Sequence, residues 1–275
     1  MPKRSRSSSL VRKVTIPPTI SRSSSVFPAV PANLKRYIAK AIKKSVEKKS
    51  VSLDTGLVNF NSVVNSGGDM INLMPPVPQG LGDGDRIGDQ LQGDSVELNG
   101  HIQATLGLTR FTGSGECRLA VRVFVLQAAL SGNVSVLTTM NGNTGDLFNN
   151  LLKKGDQCGP FAGDVQSLYL PVNQAVYKVY YDKVHFITVP WQRNAATIGV
   201  QQVNDSVDLA KSFKMIKIKI PCKKMMQYQN SGSNVPVNFA PFMYIGYSHV
   251  DGTAADVVDT KIQAQFVSTF NYTDN

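Results

Sequence analysis

The chain has 275 residues, 42% of them hydrophobic, with a net charge of +10 and a pI near 9.5. That length suits one large domain or two small ones and supplies an ordinary core. No run of about eighteen apolar residues occurs, so nothing reads as a membrane-spanning helix, and the basic N-terminus lacks the apolar stretch of a signal peptide.

The charge is unevenly placed. Residues 1–50 contain thirteen Lys/Arg and one acid, Glu47, whereas the other 225 residues hold sixteen Lys/Arg and eighteen acids. The excess therefore sits on an N-terminal arm, and such asymmetry points to a nucleic acid or another anionic partner. Within the arm, residues 1–32 are dominated by Arg, Lys, Ser and Pro and can form no core, so they are expected to be disordered until a partner is met. Residues 33–49 carry Leu34, Ile38, Ala41 and Val46 at helical spacing with Asn33 as N-cap, which predicts a short basic helix.

From Val51 the texture becomes β. Strands are expected over 51–64, 94–109, 116–130, 165–171, 176–189, 211–222, 240–249 and 261–272, and a short helix over 144–154. The clearest by composition is VYKVYYDKVHFITV at 176–189. In KSFKMIKIKI at 211–220, Phe213, Met215, Ile216, Ile218 and Ile220 run against Lys214, Lys217 and Lys219 with one slip. Eight strands joined by long Gly-, Asn- and Pro-rich connections predict an all-β fold: an eight-stranded, two-sheet antiparallel sandwich of the jelly-roll type. The domain reading is an arm over 1–50 and a shell-like body over 51–275.

The stretch PVPQGLGDGDRIGDQL, from Pro76 to Leu91, sets four glycines beside three aspartates and one arginine. No lysine follows Gly88 as a Walker loop requires, and the spacing of Gly80, Gly82, Gly84 and Gly88 misses the dinucleotide pattern. Asp83, Asp85 and Asp89 would also repel a phosphate. A calcium loop counted from Asp83 puts Asp85 at the third ligand, but Ile87 at the fifth offers no oxygen and Asp94 stands where a bidentate Glu belongs. The expectation is therefore a structural loop without a metal. Arg86 among the aspartates is expected to pair within the loop or across an interface.

Little else in the sequence points to chemistry. His101, His185 and His249 all fall in expected strands, and no nucleophile elbow is present. Asp182 and His185 lie three apart on a strand and so face opposite sides. His249 and Asp251 are two apart, with no nucleophile placed beside them. Cys117, Cys158 and Cys222 form no Cys-x-x-Cys pair or Cys/His cluster, so buried reduced thiols are expected rather than a zinc site. The reading is a non-enzymatic chain without cofactor.

Nucleic-acid contact falls to Lys3, Arg4, Arg6, Arg12, Lys13, Arg22, Lys35, Arg36, Lys40, Lys43, Lys44, Lys48 and Lys49, which can neutralise phosphates without reading sequence. Only Phe27 and Tyr37 interleave with them, so base stacking by the arm is limited. The clusters Lys3 to Arg6 and Lys43 to Lys49 are also nuclear-localisation-like.

An arginine-serine-lysine arm, a basic helix and a β body with Pro78-Gln79-Gly80 followed by Gly84-Asp85-Arg86-Ile87-Gly88 resemble the capsid proteins of small circular Rep-encoding single-stranded DNA viruses. The likeness covers roughly 50–275. SVELNGHIQATLGL (95–108), CRLAVRVFVL (117–126) and VYYDKVHF (179–186) resemble strands of that family, whose loop falls between the first two strands. The resemblance implies a chain that partners itself in a small icosahedral shell of about sixty copies and packages single-stranded DNA. It implies host import receptors as further partners, the virion and the host nucleus as locations, and no catalytic residues. Gly80, Gly84, Asp85, Arg86 and Gly88 would form an inter-subunit loop. A coat protein of a small RNA virus and a cellular nucleic-acid-binding β-sandwich protein are the alternatives.

Overall fold

The computed structural model describes residues 31–37, 47–64, 69–104, 117–129, 146–189, 209–250 and 262–274. The chain divides into two compact units, Met1–Ser45 and Val46–Asn275. In the first, residues 32–37 form a short helix, α1. Pro31 rather than Asn33 precedes it: the Pro31 carbonyl accepts from the N–H groups of Leu34 and Lys35 at 2.9 and 3.1 Å. The expected helix does not reach residue 49, because Lys48 and Lys49 open the first strand of the second unit.

That unit is built of antiparallel strands with almost no helix. In chain order they are β1 (Lys48–Asp54), β2 (Val58–Phe60), β3 (Ile71–Asn72), β4 (Gln90–Ala104), β5 (Cys117–Ala128), β6 (Leu152–Lys154), β7 (Gln157–Gly159), β8 (Tyr177–Val189), β9 (Phe213–Pro221), β10 (Met225–Gln227), β11 (Phe242–His249) and β12 (Ile262–Asp274). One sheet runs β1-β12-β4-β10, with β2 also on β12 and β9 also on β4. The other runs β3-β11-β5-β8, and β6-β7 is a separate hairpin. Strands remote in sequence are thus neighbours: Lys48 pairs with Thr273, Ile71 with Met243, and Ser95 with Pro221.

The alternation read from the sequence explains the burial. On β12, Ile262, Ala264, Phe266, Ser268, Phe270 and Tyr272 are buried, every second residue, while those between are more exposed. The inward residues of the first sheet, among them Leu98, Ile102, Ile216, Ile218 and Phe266, form one core with Val121, Val123 and Val125 of β5 and Ile245 of β11. The opposite face of the second sheet is covered as well. Phe124, Leu126, Phe242 and Tyr244 pack there with Phe148, Leu152 and Phe161. Buried on both faces, β11 therefore reads as a nearly continuous apolar run.

Further expectations are corrected, the first being 51–64, which is not one strand but β1 and β2 parted at residues 55–57. Residues 165–171 form no strand but a 3-10 turn at Gln166–Leu168. The Asp164 carboxylate accepts from the Ser167 N–H at 2.7 Å, a local bond that competes with a ladder. Of the described residues 146–154, Asp146–Asn149 are helical (α2), and Leu152–Lys154 turns back against β7. In β9 the slip is resolved in favour of the isoleucines: Ile216, Ile218 and Ile220 point to the core, while Phe213 and Met215 share the exposed side with Lys217 and Lys219. Finally, β3 intervenes before the glycine-rich loop, which joins β3 to β4 rather than the first strand to the second.

Candidate nucleic-acid arm and glycine-rich loop

Of the thirteen arm cations, Lys35, Arg36, Lys48 and Lys49 lie among the described residues; Lys3, Arg4, Arg6, Arg12, Lys13, Arg22, Lys40, Lys43 and Lys44 lie outside them. Lys35 and Arg36 are exposed on α1, beside an exposed Tyr37. Lys48 is exposed at the start of β1. Lys49 differs, because its side chain is only 7% exposed. Its Nζ donates to the Asp85 carbonyl at 3.0 Å and lies 3.7 Å from Asp274 Oδ2. It joins β1 to the glycine-rich loop and to the end of β12, so its charge is spent within the chain.

The loop itself is a braced turn. The Asp85 N–H donates to the Gly82 carbonyl at 3.0 Å, and the Asp85 carboxylate accepts from the Gly82 N–H at 2.9 Å. That carboxylate lies over Gly80, where a Cβ would stand 2.3 Å from Asp85 Oδ2. The glycine there is a matter of space, since its φ lies outside the left-handed region. The Arg86 N–H donates to the Pro78 carbonyl at 2.9 Å, the Gly80 N–H to the Arg86 carbonyl at 3.1 Å, and Gln79 Nε2 to the Ile87 carbonyl at 2.8 Å. The Ile87 N–H donates to Asp274 Oδ2 at 2.8 Å, fastening the loop to the last strand.

Arg86 holds the loop from within and is fully buried. Its Nη1 donates to the Gly88 carbonyl and to Asp89 Oδ1, the latter at 3.0 Å. Its Nη2 reaches across 144 residues of sequence to the Asn230 carbonyl at 2.8 Å, and also to the Ser233 carbonyl at 2.9 Å. The guanidinium lies 4.2 Å over the Tyr228 ring. A buried cation needs this many partners to offset its desolvation. Pairing within the loop is therefore found for Arg86, and its second set of partners, the turn at residues 230–233, was not foreseen. The run NSGSN at 230–234 signals a turn, but nothing in its spacing signals an arginine.

The loop's outer surface is left to other residues. Leu81 is 98% exposed, with Ile87 and Asp83 also exposed. Gly84 lies against β1, where a Cβ would meet Val51 Cγ2 at 3.0 Å, whereas Gly88 is open to within 3.9 Å. The acids do not converge: Asp85 turns to Gly82 and Asp89 to Arg86. Among the described residues no group of three or more His, Cys, Asp or Glu is arranged to hold a metal ion.

The remaining sequence candidates are dispersed. His101 stacks on Phe213, with ring centroids 4.9 Å apart. His185 Nε2 lies 3.0 Å from the Tyr181 hydroxyl, while Asp182, on the other side of β8, takes both Arg122 Nε and Nη2 at 2.7 Å. His249 is buried on β11, and Asp251 lies outside the described residues. Cys222 is buried and free, and burial pushes its thiol up to about 12. Cys158 is free but exposed, which corrects the expectation of a buried thiol. The Cys117 side chain lies outside the description.

No protein-family model and no curated protein matches this sequence.

Proposed function

We propose that this chain is a capsid protein that assembles copies of itself into a small icosahedral shell and packages single-stranded DNA through its basic arm, as in small circular Rep-encoding DNA viruses. The observation that carries the reading is the strand order together with the arm. If β1 with β2, and β9 with β10, are each taken as one interrupted strand, the two sheets read as eight strands in two sets of four. Their pairings β1–β12, β3–β11, β4–β9 and β5–β8 nest one inside another, like one long hairpin rolled up. That arrangement supports a single jelly roll, an architecture recurrent in viral shells, though also in lectins and cupins.

The arm separates these uses. Lectins and cupins need no block of twelve net positive charges, whereas a packaged genome does. Lys49, held within the body, drops from the set of phosphate-binding residues; the other twelve cations of the arm remain. The chain acts by assembly and neutralisation rather than by catalysis. Its arm clusters also suit nuclear import, which a reporter fused to residues 1–50 tests by its location.

The deciding experiment is negative-stain microscopy of the purified full-length chain, with nuclease treatment of its contents. Uniform spherical particles holding DNase-sensitive single strands are expected. Ribonuclease-sensitive contents would point to an RNA-virus coat, and monomers free of nucleic acid would overturn the reading.

A further inference from the structure

β8 is the terminal strand of the second sheet, and β9 lies at the matching end of the first. The two run near one another, and the turn Leu209–Ser212 touches both, so their edges form a seam along that side of the body. The register of β8 on β5 sets Tyr181, Lys183 and His185 opposite Val125, Val123 and Val121, the inward side of that sheet. A bulge adds Tyr180 on the same side, where its hydroxyl donates to Gln127 Oε1 at 2.7 Å. From the β9 side come Lys214, Cys222 and Lys224, with Phe239 beside them.

The seam is thus lined by the partly buried rings of Tyr180, Tyr181 and His185, with the buried Phe239 against Tyr180, and rimmed by amines. Lys178 Nζ lies 4.9 Å over the Tyr180 ring, Lys183 Nζ 5.4 Å over Tyr181, and Lys224 Nζ 5.0 Å over Phe239. Tyr181 and His185 are stacked. Lys178, Lys183 and Lys214 make no ion pair among the described residues. Their charges are felt by their neighbours. His185 is held below its ordinary range, first by burial and then by Lys214 and Lys183; Lys224 is lowered by burial and then by Lys178. Asp182 is on the far side of β8 and committed to Arg122, and Asp94 acts on Cys222 and Lys219.

We propose that this seam is a second binding track, on the folded body itself, for single-stranded nucleic acid. It rests on the reading of the chain as a nucleic-acid-packaging protein. Rings interleaved with unpaired amines are what a single strand requires: π-faces for its bases and cations for its phosphates. The arm has the cations with few rings, so the two elements are complementary. From Lys178 to Lys183 the strand rises roughly 16 Å, enough for a short stretch of chain rather than one phosphate. The acidic loop of a second copy is the poorer occupant, because Asp85 and Asp89 are already engaged within their own loop.

The test uses full-length chain carrying Lys178→Ala, Lys183→Ala and Lys214→Ala together, all at exposed side chains. Binding of a labelled oligothymidylate is followed by anisotropy over a salt series, and a bromodeoxyuridine version is crosslinked and mapped by mass spectrometry. Relative to wild type, the slope of log affinity on log salt should fall by about 2, with binding about tenfold weaker at 0.1 M salt. Crosslinks in the wild-type chain should fall on Tyr180, Tyr181 or His185. Crosslinks confined to residues before Val46, with an unchanged slope, overturn the track alone. An unchanged slope with loss of assembled particles makes the seam a contact between copies and also overturns it. A wild-type chain that binds no oligonucleotide removes the underlying reading as well. Lys214→Glu alone should shift the slope in the same direction, and gives the answer should the triple variant fail to fold.

Discussion

The Arg86 guanidinium lies 4.2 Å over the ring of Tyr228, joining the glycine-rich loop to the connection between β10 and β11. One buried cation thus sets the shape of two segments far apart in sequence. Arg86→Ala should cost about 3 kcal/mol, because the carbonyls of Asn230 and Ser233 lose their donor inside the protein. For a chain of this size that is roughly a 10 °C drop in melting temperature by calorimetry. Arg86→Lys should recover only part of it, since an ammonium cannot span the same fork of acceptors.

The Arg122–Asp182 pair allows a double-mutant cycle. Arg122 Nη1 also serves the carbonyls of Ser167 and Leu170, the latter at 2.8 Å, so the arginine holds the 3-10 turn as well as β8. Arg122→Ala should therefore destabilise more than Asp182→Ala in urea denaturation. The coupling energy between them should be at least about 1 kcal/mol, above that of an exposed pair.

Alkaline pH should weaken the fold. Burial raises the Cys222 thiol to about 12, and burial is also the first cause raising the Tyr180 and Tyr272 phenols to about 12. These groups are neutral in both states below the ordinary thiol range. As pH rises past 9 toward 12, the unfolded chain ionises first and gains the advantage. Melting temperature should hold to about pH 9 and then fall progressively. Most of the tyrosinate absorbance, that of the buried rings, should rise together with loss of the near-ultraviolet dichroism. In the same protein Cys158 should react with a maleimide in the folded state, and Cys222 only after unfolding.

Truncation should separate arm from body at a particular place. A chain starting at Val46 should melt within a few degrees of full length and lose most salt-sensitive binding to single-stranded DNA. Starting at Val51 instead removes Lys49 and the pairings of Lys48, Lys49 and Ser50 with β12, and should lower the melting temperature further. Equal melting of the two truncated chains would show that Lys49 braces nothing.

The genome content follows from the charge. If the proposed shell holds about sixty copies, each with about eleven net positive charges on its arm once Lys49 is set aside, they neutralise roughly 660 phosphates. The coding sequence of this chain alone runs to roughly 825 nucleotides, so small cations must supply the rest of the balance. Purified particles should swell at low ionic strength, and the 260-to-280 nm absorbance ratio should fall sharply when residues 1–32 are removed.

What was legible in the sequence was whatever depends on local pattern. β8 announced itself by ring and β-branched composition, β12 by alternation, and the arm by charge. Residues 165–171 misled because Leu168 and Leu170 resemble a strand, while Asp164 and Ser167 settle the backbone locally as a turn. The helix expected over 144–154 stops at Asn149 because Leu152–Lys154 finds a partner in β7. The glycine-rich loop was recognisable as a loop, but Arg86's partners lie 144 residues on, at a distance no spacing rule reaches. Lys49 looked like twelve other cations until β12 placed Asp274 beside it.

The ladder between β1 and β12 also bears on how the molecule comes into being. Lys48 meets Thr273 and Asp54 meets Val267, so the first strand waits for partners more than 200 positions further along. β4 lacks one of its two flanks for as long, since β12 is also its neighbour. On the ribosome neither can close before β12 has emerged; the first sheet is completed through contacts of very long sequence separation that fold slowly. During that interval the apolar faces of β4 and β9 stand open to other nascent chains. Loss of the last fourteen residues should leave a chain that aggregates rather than one that folds a strand short.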